Sequence, residues 1–303
     1  MSAPDILIVG SANMDLVVFA DRLPAPGETL LGGAFQSFSG GKGANQAVAA
    51  ARAGGKAAFL GRVGMDIFGA RLRQGLQDNG VDTRLLGDVE GASGTALIIS
   101  GGGNNMIVVA PGANDAVTAD AIQESDFAGI RFVLAQLETP LDGVLKAAKL
   151  ARAAGAAFIL DPAPARALPS ELLGLVDWLT PNESEACTLL GLQSLSAPAH
   201  MARSLKALGP RGVILKLGGE GVMLLGPDDV PVMTPAHKVK VADTVAAGDA
   251  FNGAFAVALS EGKSSPDAAR FAVAAAAISV TRHGAQPAMA SRTEIDALLN
   301  TKA

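Results

Sequence analysis

The chain has one cysteine, one tryptophan and no tyrosine, and aromatic residues make up only 4% of its 303 positions. Cys187 alone cannot close an intramolecular disulfide, and it excludes cysteine-based zinc and iron–sulfur sites within one chain. Histidine is also scarce: His200, His237 and His283 lie far apart and make no metal or triad pattern. Positive charge is not in surplus. A formal net charge of −5 leaves nothing to neutralise a nucleic-acid backbone, which argues against a general nucleic-acid binder. The most apolar stretch, Phe271–Val280, is bounded by Arg270 and Arg282 and reaches about half a membrane span. Met1–Gly10 has no basic region and only a short apolar core, Ile6–Val9, so it reads as a strand and not as a signal peptide. The expectation is a soluble, cytoplasmic protein.

What is abundant is small and apolar. Apolar residues are 49% of the chain and charged residues 17%, enough for a substantial core and too little polarity for disorder. Glycine, at 36 residues, is clustered, which suggests backbone that turns tightly or approaches a ligand.

Short apolar runs alternate with amphipathic stretches. Ile6–Val9, Ala57–Leu60, Phe132–Leu137, Ala157–Leu160, Val213–Leu217 and Val222–Leu225 read as strands; Asp66–Asn79, Leu141–Ala154, Ala199–Leu208 and Ala247–Ser260 read as helices. That alternation predicts an α/β fold with a mostly parallel sheet covered on both faces. Two regions break it. Leu16–Ala20 and Glu28–Phe38 look β-like with no helix between them, and Thr95–Ser100 and Met106–Ala110 form a hairpin across Gly101–Asn105. These predict a small second sheet, a lid contributed by about 12–38 and 94–111 of one α/β domain spanning 1–303.

Familiar nucleotide signatures fail. Gln36 and Gly43 stand where a Walker A loop needs Gly and Ser/Thr around Gly41-Lys42, and no Gly-x-Gly-x-x-Gly follows a strand. Three other segments carry the chemistry. Asp243–Phe255 follows the strand-like Val239–Val241 and opens a helix; the small residues Ala246, Ala247 and Gly248 leave its first amides bare, an anion site by geometry and dipole. Asp249 beside that hole is the pairing needed to deprotonate a hydroxyl attacking a phosphoryl group, although an acidic residue in a first helical turn also simply complements the dipole. Ser39–Ala47 combines Gly40, Gly41 and Gly43 with the donors Lys42 and Asn45, or is a flexible loop with an Asn cap leading to a helix at Val48–Ala53. Asn13 and Asp15, at i and i+2, share a face in extended chain and suit a vicinal diol; an Asx turn is the plainer reading.

Together these segments resemble the ribokinase-type (PfkB) carbohydrate kinases. The resemblance runs from Gly10-Ser11 through Pro26–Thr29, Gly40–Ala50, Val108–Asn114, Gln136–Glu138, Asp161–Arg166, Thr180–Glu183 and Asp243–Gly253 to Thr281–Pro287. It implies a three-layer α/β/α fold, ATP as phosphoryl donor, Mg2+ and a K+ activator. By that resemblance Asp249 is the base and Ala246, Ala247 and Gly248 the anion hole. Asn13, Met14, Asp15, Gly41, Lys42, Gly43, Ala44, Asn45 and Glu138 fall at sugar-binding positions. Asn182, Lys216, Leu217, Gly218, Gly219, Glu220, Gly221, Gly248 and Val273 fall around the nucleotide. Glu185, with Asn182 in an Asn-x-x-Glu element, organises magnesium through water, or serves as a capping box. Asp243, with Val245, Ser279, Arg282, Gly284 and Ala288, falls at the monovalent-cation site. A homodimer through the lid is implied as well.

Four departures stand out. Lys216 replaces a frequent threonine, Glu220 adds a carboxylate expected to pair with Lys216 or a neighbour, Val273 replaces an often polar residue beside the adenine, and Ala288 replaces a usual serine. Lys42-Gly43, where fructokinase and ketodeoxygluconate-kinase members more often carry Ala-Pro, and Asn13, which suits a 2-hydroxyl, make D-ribose phosphorylated at O5 the expected reaction. Deoxyribose, fructose or a nucleoside is the alternative substrate, and a non-catalytic sugar-binding regulator the remote one.

Overall fold

The computed structural model describes residues 3–301. Its main sheet contains β1 (Ile6–Val9), β4 (Ala57–Gly64), β5 (Leu86–Val89), β8 (Phe132–Ala135), β9 (Ala157–Leu160), β10 (Trp178–Leu179), β11 (Gly212–Lys216), β12 (Val222–Leu225) and β13 (Pro231–Thr234). The strand order is β13-β12-β11-β10-β9-β8-β1-β4-β5. Pairing is parallel from β5 to β11 and antiparallel only for β12 and β13. A separate sheet, ordered β3-β2-β6-β7, is made of β2 (Asn13–Ala20), β3 (Phe35–Gly40), β6 (Gly94–Gly101) and β7 (Asn104–Ala110). The α/β fold with a mostly parallel sheet and a second small sheet is as the sequence predicts.

Period-two alternation builds two cores. Ile6 and Ile8 point into one apolar cluster and Leu7 and Val9 into the other; Ile159 and Ile214 join the first, while Phe158, Leu160, Val213 and Leu215 join the second. Helices α1 (Lys42–Arg52), α2 (Ile67–Asp78), α7 (Ala247–Ser260), α8 (Ser265–Ser279) and α9 (Arg292–Asn300) cover the first face. Helices α3 (Leu141–Ala153), α4 (Ser170–Leu173), α5 (Glu183–Leu190) and α6 (Pro198–Lys206) cover the second. Chain order runs outward in both directions from β1, so a switch point lies between β1 and β8, and ligands of such sheets bind at the strands' carboxyl ends there.

Several boundaries differ from the sequence reading. Helix α1 begins at Lys42, not Val48, so Asn45 is inside the helix and not its cap. Gly41, at φ 86°, is the residue that lets the chain turn directly into it, and a side chain there would strike Asn13 N at 2.7 Å. The hairpin loop is shorter than expected: the strands run on to Gly101 and Asn104, and Gly102 and Gly103, both at positive φ, make a two-residue turn. Glu28–Ala34 is not strand; the paired segment is Phe35–Gly40. Val239–Val241 is not strand either, because its apolar side chains line a cleft instead of a sheet face.

Candidate active site

The carboxyl ends of the parallel strands deliver polar residues to one place. β1 leads into Ser11 and Asn13, β8 into Gln136 and Glu138, β9 into Asp161, β10 into Asn182, and β11 ends at Lys216. From the opposite side, α1 contributes Lys42, Asn45 and Gln46, and α7 contributes Asp249 in its first turn.

Asp249 is buried, with Oδ2 accepting from Asn45 Nδ2 at 3.1 Å and Oδ1 from Gln46 Nε2 at 3.0 Å. Burial pushes its carboxyl up to about 6; Lys42 and the two amide donors oppose that shift, and Asp161 adds to it. This is a carboxylate poised to take a proton near neutral pH. Ahead of it, Ala246 adopts a left-handed conformation, φ 58°, and no side chain caps the helix. The amides of Ala246 and Gly248 have no partner among the described residues, whereas the Ala247 N–H donates to Thr244 O at 3.3 Å. Two of the three expected anion-hole donors are therefore free in this conformation. The third is weakly engaged.

The sugar-side candidates converge on β2 and the start of α1. Asn114 Nδ2 donates to Asn13 Oδ1 at 2.7 Å, which fixes the orientation of the Asn13 amide and leaves its Nδ2 donors for a ligand. Asp15 is pushed up to about 7 by burial first, then by the charges of Glu138 and Asp249. Glu138 accepts from Ser11 Oγ at 2.6 Å and from Lys42 N at 3.1 Å. Asn45 Oδ1 is buried without a partner, an acceptor left for a ligand. Gly43 packs on Ser11 and the Ala44 N–H donates to Ser11 O at 2.9 Å, while Met14 is fully buried in the apolar core. Burial works against the charge of Lys42, but Asp249, Asp161, Glu138 and Glu185 outweigh it and hold its ammonium more firmly charged than an ordinary lysine.

Next to Asp249 opens a cleft of about 840 Å3. One end is polar, with Lys42, Asp161, Asn182, Glu185, Lys216 and the head of α7; the other is apolar, with Val239, Val241, Val273, Ala276 and Val280 among its lining. That gradient suits an elongated ligand with an anionic head and a flat apolar tail. Gly218, Gly219 and Gly221 line it, but Leu217 is buried and Glu220 is exposed on a short turn. Glu220 does not pair with Lys216. The lysine turns inward and its Nζ lies 3.0 Å from Asp161 Oδ1, where a buried carboxylate demands a cation. His237, which made no pattern in the sequence, is on the cleft wall.

Asn182 and Glu185 form a reciprocal capping box, Oδ1 accepting from Glu185 N at 2.9 Å and Glu185 Oε2 from Asn182 N at 2.7 Å. Burial raises the Glu185 carboxyl, with Lys216 opposing. Its other oxygen, Oε1, accepts no hydrogen bond among the described residues. Asp243 is occupied by backbone, Oδ1 accepting from Val245 N and Oδ2 from Gly284 N, each at 3.0 Å. These contacts tie the Val245 turn to the Gly284 turn, and the carbonyls of Val245, Arg282 and Gly284 have no donor among the described residues. Ser279 O accepts from Arg282 N at 3.2 Å, and Ala288 is buried nearby in sequence on a short turn. Among the described residues no three His, Cys, Asp or Glu side chains converge as a metal cluster.

The pfkB family carbohydrate kinase pattern matches residues 3–292. The chain belongs to that family. It is 41% identical over 301 residues to the ribokinase of Bacillus subtilis, covering 98% of this chain and 99% of that one. It is 34% identical to the deoxyribokinase of Salmonella typhi, over 98% of this chain and 99% of the relative. Among solved structures, Arabidopsis thaliana ribokinase complexed with ribose and ATP superposes with a TM-score of 0.92 at 35% identity, covering 99% and 100% of the two chains. Thermotoga maritima ribokinase gives 0.91 at 38%, with the same coverage. The protein is thus a sugar kinase, and its fold is the one those ribokinases share.

For a carbohydrate kinase of the pfkB family the polar network around the base matters as much as the base, and the sequence reading assigned no role to Ser11, Gln46, Asn114, Gln136 or Asp161. A signal existed for two of them. Gln136 and Asp161 directly follow β8 and β9, at the carboxyl ends where open parallel sheets place ligands. Among the described residues no helix is long and apolar enough to cross a membrane.

Proposed function

We propose that this kinase transfers the γ-phosphoryl group of ATP to O5 of D-ribose, giving D-ribose 5-phosphate and ADP. The observation that carries the reading is Asp249, buried in the first turn of α7, bonded to Asn45 and near enough for its charge to act on Asp15. The likeness to ribokinases over nearly the full chain supports it. Asp15 accepts from sugar hydroxyls, Asn13 and Asn45 supply a donor and an acceptor, and Asp249 takes the O5 proton. The proton moves to Asp249 as O5 attacks phosphorus, and the bond to the β–γ bridging oxygen breaks with its electron pair leaving on ADP. Lys42, Lys216 and the amides of Ala246–Gly248 receive the phosphoryl charge.

Asn182 and Glu185 would hold Mg2+ through water, and the Val245, Arg282 and Gly284 carbonyls with Asp243 would hold K+. When bound, these ions supply charge neutralisation for the phosphates and order for the anion-hole amides. The small sheet serves as the lid and as the contact between two copies. One of its faces carries Val18, Phe35, Leu97, Met106 and Val108, all exposed and apolar, which favours burial against an identical face. We place the reaction in the cytoplasm.

An ADP-release assay over ribose, deoxyribose, fructose and nucleosides, with and without potassium, tests this reading. Ribose is expected to be turned over fastest. Negligible turnover of ribose beside rapid turnover of another sugar overturns the assignment.

A further inference from the structure

Gln46 is fully buried and stands where two carboxylates meet. Its Nε2 donates to Asp249 Oδ1 at 3.0 Å and to Asp161 Oδ2 at 2.9 Å, while its Oε1 accepts from Gln136 Nε2 at 2.7 Å. Chemistry dictates this orientation: turned over, the amide would aim its oxygen at two carboxylates and its nitrogen at another donor. Each carboxylate has a second anchor, Asn45 Nδ2 on Asp249 and Lys216 Nζ on Asp161. Gln136 is itself seated by Gly10, where any side chain would collide with Gln136 Oε1. The result is a buried chain of contacts running from β1 through β8 and α1 to α7.

We propose that Gln46 is a positioning residue for phosphoryl transfer, holding the Asp249 carboxylate in one orientation by tying it to the Asp161–Lys216 pair. The inference rests on Asp249 being the base. A carboxylate tethered at Oδ1 and Oδ2 by donors on neighbouring residues of one helix cannot rotate about Cβ–Cγ. The lone pair offered to the attacking hydroxyl then keeps one direction, which in-line transfer requires. Gln46 also supplies the neutral group that lets two carboxylates share a dry site, its two N–H bonds favouring the ionised form of each. The charged groups around Asp249 are Lys42 on α1, Asp161 beyond β9, Asp15 on β2 and Lys216 at the end of β11, beside Gly248; α8 presents only Val273, Ala276 and Ala277 to this cleft. Gln46 is not placed to read the sugar: it is fully buried, and both its N–H donors and its carbonyl oxygen are engaged by protein groups.

The test is Gln46→Leu beside Asp249→Asn, both checked for folding by circular dichroism. Gln46→Leu is expected to lower kcat about 10²-fold with little change in sugar KM. The acid limb of its kcat profile should move to higher pH, because the ionised base has lost a donor. A role in packing alone would lower stability without moving that limb. If Gln46→Leu does not fold, Gln136→Leu, which removes only the donor that orients Gln46, carries the same two expectations at smaller size. Wild-type kcat and an unmoved acid limb in the folded variant, with Asp249→Asn inactive, overturn the proposal. An active Asp249→Asn overturns the assignment of the base instead.

Discussion

Lys216 Nζ lies 3.0 Å from Asp161 Oδ1, both side chains largely buried, and the ammonium sits beside Gly248 at the positive end of α7. A cation at a helix N-terminus is held there against the dipole, so Asp161 is what keeps it in place. Lys216→Met leaves Asp161 buried with only the more distant Lys42 as counter-charge and is expected to cost about 3 kcal/mol of stability. Urea denaturation of Lys216→Met, Asp161→Asn and the double variant measures this, and the double variant should recover most of the loss. Independently of stability, Lys216→Met should raise the KM for ATP.

Asp249→Asn is expected to bind sugar and nucleotide while lowering kcat by about 10²–10⁴-fold. In the wild type, kcat should fall as pH drops through about 6, where the raised carboxyl of Asp249 takes up its proton and ceases to be a base. A pH–rate profile at saturating substrates shows it.

Asp15 predicts a second pH dependence, in binding and not in turnover. Its carboxyl is raised to about 7, so in the free protein it is partly protonated at neutral pH. Sugar hydroxyls donate to the ionised form. Sugar affinity should therefore be full above about 7 and decline below it, with protons released on binding. Calorimetry in buffers of different ionisation enthalpy reads that release directly.

Gly253 lies where α1 and α7 approach most closely: an added Cβ would stand 2.6 Å from Gln46 O and 2.7 Å from Ala50 N. Gly253→Ala forces the helices apart, at an expected cost of about 1–3 kcal/mol. Because α1 carries Asn45 and Gln46 and α7 carries Asp249, kcat should fall more than sugar affinity does. Thermal denaturation and steady-state kinetics on the same preparation test both parts.

Val108→Glu places a charge in the exposed apolar face of the small sheet, on the edge strand β7. If two copies meet there, light scattering should shift from dimer to monomer while the isolated site keeps its residues. A dimer of unchanged strength moves the contact elsewhere.

Much of the fold was legible because it follows from local pattern. Ile6–Val9, Ala157–Leu160, Val222–Leu225 and Ala247–Ser260 have the boundaries that their apolar runs indicate. Trp178–Leu179 was not legible, since two residues carry no periodicity and only pairing with β9 and β11 makes them strand. Lys42-Gly43 read as loop because glycine disfavours helix, yet Gly43, packed closely on Ser11, lies in the first turn of α1, with Gly41 as the turn that leads into it. Asp249 stood out through its small neighbours. The Lys216–Asp161 and Gln46–Asp249 contacts span 55 and 203 positions, and no local pattern encodes a partner that distant.

One strand has a consequence for how the parts move. β2 begins with Asn13 and Asp15 at the sugar end and carries Val18, exposed on the outer face, three residues further along. It is held by hydrogen bonds on both sides, to β3 and β6, so it bends little. A sugar pressing on Asp15 and a neighbour pressing on Val18 push on the same short lever. If two copies meet on that face, subunit contact and substrate fit become mechanically a single variable.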